Sequence, residues 1–154
     1  MYKKLQVFRT VCIESGPCVW WKIAQNRPSL KKQCCIMLRL LMGSSRLEAD
    51  ANHSVPMNER VCPICNLNII EDLFHLIMGC SAYQPIRENM LHDIAKVLCY
   101  SSRQKWNSAS HHIQMLICMG MEFPVTSEEI WSIRFLSCVY INRMYAKRKN
   151  HDPP

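Results

Sequence analysis

The sequence predicts a mainly α chain, a small helical domain with one inserted Cys-Cys-His-Cys (CCHC) knuckle, and three observations lead there. Apolar residues recur at helical spacing in several separate stretches. A cluster of cysteine and histidine ligands interrupts them near the middle of the chain. Composition completes the case: 49% of the 154 residues are hydrophobic, 20% are charged and only 4 are Gly, as in a chain that folds around a core. That length suits one structural unit rather than two large domains.

The elements follow in order. Residues 2–14 form a short predicted helix that stops before Gly16-Pro17, and residues 18–25, with Trp20 and Trp21, form another that stops before Pro28. From Ser29, a plausible N-cap, to Met42 the apolar residues Leu30, Cys34, Met37, Leu38 and Leu41 trace one helical face, and Gly43 supplies a C-terminal stop. Lys32 and Arg39 share the opposite face with Lys31 beside them, giving a basic stripe. Residues 43–61 show no periodicity and read as an extended connection. After Cys80, Pro85 opens a helix with Ile86, Met90, Ile94 and Val97 on one side, reaching Cys99. Residues 100–110 read as polar loop, residues 113–119 as a short apolar helix ended by Gly120, and Thr126 to Glu129 as a capping box. The last helix shows an apolar face of Ile133, Leu136, Tyr140 and Met144 and finishes in Lys147-Arg148-Lys149, where positive charge suits a C-terminus. The organisation is thus a basic helical segment (1–48), a connection (49–61), the ligand motif (62–80) and a helical C-terminal region (85–149), in one unit overall.

The N-terminal stretch is broken by Gln6, Arg9 and Glu14, so no secretory signal is read, and the apolar run 34–42 is far shorter than the roughly 20 residues a membrane span needs. The expectation is an intracellular chain, in nucleus or cytoplasm, without a membrane partner. Its ten cysteines are then reduced thiols, and Cys34, Cys99, Cys118 and Cys138, set among aliphatic residues, read as small core hydrophobes. The formal charge of +7 is concentrated: residues 1–48 carry nine Lys or Arg against two Glu, while the remainder carries ten of each sign. A concentrated basic half fits a nucleic-acid partner, because each neutralised phosphate releases a counterion, and it fits a solvated face equally.

Cys62-Pro63-Ile64-Cys65, nine residues, His75, four residues and Cys80 provide the ligand types and number of a closed tetrahedral zinc site. Cysteines three apart converge on one tight turn, for which Pro63 pre-sets a backbone angle and Asn66 tolerates a left-handed residue. Glu71 and Asp72 suit the first turn of a helix that carries His75. Five residues separate His75 from Cys80, about 140° around an ideal helix, so an unbroken helix would part them. A left-handed Gly79 is the expected device for returning Cys80. Four protein ligands, Cys62, Cys65, His75 and Cys80, leave no open position, so one Zn2+ would be structural. A thioredoxin-like CxxC would instead open a helix inside a βαβ unit, which is not the pattern here. His111-His112 read as a polar first helical turn, and Trp20, Trp21 and Trp106 more as buried aromatics than as base-stacking platforms.

The runs Arg46-Leu47-Glu48, Asn58 to Cys65, Ile70 to Leu76 and Cys80-x-x-Tyr83-x-x-x-Arg87 resemble the zinc-binding C-terminal region of non-LTR (LINE-type) retrotransposon reverse transcriptases. The likeness extends more loosely over nearly the whole chain. It departs where Ser45, Ala51-Asn52 and Ser81 replace the family's usual His, Gly-Arg and Pro, and the change at position 52 removes a basic residue. The resemblance implies a non-enzymatic module without polymerase or endonuclease, binding RNA or DNA non-specifically and acting beside a reverse transcriptase polymerase domain. Lys31, Lys32, Arg39 and Arg46 are the expected phosphate contacts. The alternative is a structural or protein-interaction fragment, a transposon remnant in which zinc is only a folding staple.

Overall fold

A computed structural model describes residues 4–12, 18–51 and 54–150. The described chain is mainly α: α1 (Lys4–Cys12), α2 (Val19–Asn26), α3 (Lys31–Leu41), α4 (Glu48–Ala51), α5 (Gln84–Val97), α6 (Tyr100–Ser108), α7 (His111–Cys118) and α8 (Ser127–Lys149). The expected stop at Gly16-Pro17 lies outside the described residues. Among those described, the only strand-like pairing is one antiparallel bridge between Val61 and Ile70.

Helix α8 is the spine. It packs against α5, α3, α7 and the His75–Gly79 turn. Its start is the predicted capping box, with Glu129 N–H donating to Thr126 Oγ1 at 3.2 Å and Thr126 N–H to Glu129 Oε2 at 2.9 Å. Ile133, Cys138, Ile141 and Met144 are buried along its length and meet Met90 and Ile94 of α5 in one continuous core. Fully burying side chains of this size stabilises by about 1.5–3 kcal/mol each, before the entropy of ordering them is subtracted.

The basic helix ends as its sequence indicates. Ser44 N–H returns to Arg39 O at 3.0 Å and Gly43 N–H to Leu40 O at 3.3 Å, with Gly43 at φ +62°, which together make a Schellman stop. Its start differs from expectation. Ser29 caps nothing and lies inside a 3-10 turn, Pro28–Leu30, which runs directly into α3.

Three other readings are corrected. Residues 43–61 are not wholly extended, because Glu48–Ala51 is helical. The cause is tertiary: Glu48 N–H donates to Glu71 Oε2 at 2.9 Å and Ala49 N–H to Glu71 O at 3.2 Å, which satisfies the donors of an otherwise unsupported turn. Residues 100–110 are not a loop, since α6 occupies most of them. Its first turn is held by Glu129, whose carboxylate accepts from Cys99 N–H at 2.7 Å and Ser102 O–H at 3.0 Å, and Trp106 is buried against Phe123. Cys99 is exposed at the head of α6 and is no core residue, unlike Cys34, Cys118 and Cys138.

Candidate metal centre and the basic face

Cys62 emerges from the Val61–Ile70 bridge, its N–H donating to Ile69 O at 2.8 Å, and Glu71 N–H donates to Arg60 O at 2.9 Å. These bonds close a short hairpin. At its tip Asn66 and Asn68 both take positive φ, +54° and +53°, conformations that asparagine tolerates better than most residues. Asp72 then starts the helical turn, its Oδ1 accepting from His75 N–H at 2.7 Å.

The expected left-handed Gly79 is not what returns Cys80. Gly79 has no positive φ; residues His75–Gly79 instead form a π-turn in which Cys80 N–H donates to His75 O at 2.6 Å. Closing residue i+5 onto residue i brings Cys80 back beside His75 without a change of hand. Glycine at 79 leaves room for the imidazole: a Cβ there would lie 3.3 Å from His75 Nδ1, close enough to press on the ring.

The result is that the ligand atoms of Cys62, Cys65, His75 and Cys80 all lie within 4.8 Å of one another. Cys62 Sγ and Cys80 Sγ are 3.9 Å apart, and Cys65 Sγ is 3.4 Å from His75 Nε2. A tetrahedral ion about 2.3 Å from sulfur and 2.0–2.1 Å from nitrogen would have edges of roughly 3.8 and 3.6 Å, which these two distances match, and the four residues together could hold a metal ion. Burial pushes the Cys80 thiol up to about 12 and raises Cys62, and it lowers His75. Burial thus disfavours the charged forms of Cys62, Cys80 and His75, and a cation would compensate the two thiolates. Tyr83 adds a related feature. It is fully buried, its hydroxyl lacks a partner among the described residues, and it titrates high through burial and then through neighbouring Cys80 and Cys62. An O–H donor without an acceptor beside candidate thiolates suits an anionic, metal-loaded cluster.

The centre is tied to the helical body by charge. Glu71, 1% exposed, accepts from Arg148 Nε at 2.5 Å, and Arg148 Nη2 lies 3.4 Å from Glu48 Oε1. Burial still raises Glu71 above the usual carboxylate range, against the pull of Arg148. Arg148 therefore does not belong to a solvated cationic helix end. It points inward, joining α4, the ligand hairpin and α8.

Lys31, Lys32, Arg39 and Arg46 are all exposed. Of these, Lys32 lines the groove that runs between α3 and α8 and has Arg143 on its other side. Arg46 lies beyond the helix, its N–H donating to Tyr145 Oη at 3.1 Å. The N-terminal charge count concealed Arg143. Residues 130–150 contain five Lys or Arg and no acid, but the balanced total for the C-terminal region averages this away. Of the tryptophans, Trp20 and Trp106 are buried, as expected, while Trp21 is 54% exposed. None of the described helices is long and apolar enough to cross a membrane. No family model matches the chain, and neither a curated protein nor a solved structure is found to be similar to it.

Proposed function

We propose that this chain is a non-catalytic, zinc-held helical module that binds RNA or DNA non-specifically through phosphate contacts, like the tail of a LINE-type reverse transcriptase. The observation that carries the reading is the meeting of two acid-free segments. Residues 18–47 hold six Lys or Arg and no Asp or Glu; residues 130–150 hold five and no acid, of which Arg143, Lys147 and Lys149 are exposed while Arg134 and Arg148 pair with Glu122 and Glu71; and α3 packs on α8. Such a surface favours a polyanion of any sequence.

Zinc is the metal of choice for three soft thiolates and one imidazole in a tetrahedral set, and a filled set gives it a structural role. Its task here is positional. The ligand hairpin delivers Glu71 to Arg148 and to the start of α4, which fixes the chain after α3 against the end of α8. A polymerase domain is the partner the family resemblance offers, and nucleus or cytoplasm the compartment.

The test is binding of labelled RNA and DNA across a salt series. Affinity should fall steeply and linearly on logarithmic axes, and Lys32→Glu/Arg39→Glu should weaken binding to every sequence alike. Absence of binding at low salt would remove the proposal. The protein-interaction reading would then stand, and it too has an observation behind it: Leu67, Ile69 and Phe74 of the ligand segment are 53%, 45% and 38% exposed.

A further inference from the structure

Resting on that reading, we infer that the α3–α8 groove takes a single nucleic-acid strand and not a duplex, with Arg143 and Lys32 holding phosphates from opposite sides and Gln33 meeting an unpaired base edge. The groove has a volume of about 390 Å3, in the range of sites that hold a ligand of nucleotide size. Lys32 and Arg143 line it along with Ile36, Val139 and Ala146, and no carboxylate does. Cations beside an apolar surface match a strand with exposed bases, whose phosphates are anionic and whose ring faces seek apolar cover.

Two further details support the groove as a binding site for a strand. Gln33 also lines the groove, and its Oε1 is buried without a donor among the described residues. Such an acceptor is costly to leave unpaired. An unpaired base edge supplies an N–H donor that a duplex has committed to Watson–Crick pairing. Arg143 is also pre-oriented. Its guanidinium lies 5.2 Å from the Tyr140 ring centroid, and the Tyr140 hydroxyl in turn donates to Asp93. The cation is thereby set in place before a phosphate arrives.

Shape points the same way. A B-form duplex is read by a helix or ribbon that protrudes into its major groove, about 12 Å wide, and an RNA duplex is contacted across a wide, shallow minor groove and its phosphates. Here the basic elements border a hollow, so a duplex would touch only the lips and would leave Gln33, Ile36 and Val139 uncovered.

The experiment uses an RNA of about 12 nucleotides and mixed sequence, alone and annealed to its complement, with the full metal-loaded chain at low salt. The single strand should bind about tenfold or more tighter than the duplex. Arg143→Glu should lower single-strand affinity about tenfold, and Gln33→Leu should narrow the gap between the two forms. Circular dichroism and metal content, expected to be unchanged in both variants, separate a binding defect from misfolding. Equal or tighter duplex binding would overturn the single-strand inference and leave non-specific binding standing, as would an Arg143→Glu variant that is folded and binds normally. Binding of neither form would instead overturn the proposed function itself.

Discussion

The ligand segment Cys62–Cys80 and the α5–α8 pair share one core and are held by opposite means. In α5 and α8, Met90, Ile94, Ile133, Ile141 and Met144 are removed from water, and order comes from apolar area. The ligand segment has a single bridge, a short capped turn and a π-turn, and several large apolar side chains on its surface. Apart from Leu76, Ile77 and Met78, which enter the core, little local structure fixes it, and four candidate metal donors and one buried ion pair are placed to do so. The two regions should therefore respond to different insults.

On the proposed zinc reading, the largest separation should come from removing the metal. Binding energy that is absent in the unfolded state becomes folding energy, on the order of 10 kcal/mol in small zinc domains. Chelation, or Cys65→Ser or His75→Ala, should raise amide exchange across residues 60–82 far more than in the interiors of α5 and α8. Uniform exchange throughout the chain would show one cooperative unit and erase the distinction.

Next is the link between the regions. Arg148→Met leaves Glu71 buried without its cation, which should cost about 3–5 kcal/mol. Because the burden is a buried charge, the double variant Glu71→Gln/Arg148→Met should recover much of that loss. The single variant should also lose less at acidic pH, where a Glu71 carboxyl already raised by burial is neutral. Urea unfolding monitored at Trp106 measures both. Equal costs for single and double variants would mean that Arg148 acts by packing alone.

The same contrast governs how much could be read beforehand. α3 and α5 announced themselves through a local apolar periodicity and α8 through its capping box, although the buried face of α8 runs through Ser137, Cys138 and Ile141 beside the expected Ile133 and Met144, leaving Leu136 and Tyr140 half-buried. The four ligands were legible for a related reason: coordination chemistry restricts residue type and spacing. What escaped depended on partners distant in sequence. Helix α4 exists because Glu71, 23 residues away, accepts from Glu48, and α6 exists because Glu129, 30 residues on, holds Cys99. The π-turn was missed because an i+5 closure leaves no compositional mark, and glycine at 79 invited the commoner explanation. Arg143 was hidden by averaging charge over segments that the fold later rearranges.

The smallest effect belongs to Glu129, which tests whether the helical body has its own local electrostatic device, independent of the metal. N–H donors from Cys99 and Thr126 draw its carboxyl down from 4.5 to about 2. A carboxyl depressed in the folded state contributes stability above its unfolded value, and the contribution disappears as pH falls through the folded one. The stability difference between the wild type and Glu129→Gln should thus be full at neutral pH and shrink between about pH 4.5 and 2. Both proteins should be compared metal-free, so that acid release of the metal does not enter. A pH-independent difference would mean that Glu129 serves α6 and α8 through neutral hydrogen bonding that Gln reproduces only in part. A shrinking one would place a charged double cap, shared by two helices, among the reasons this half of the molecule needs no metal.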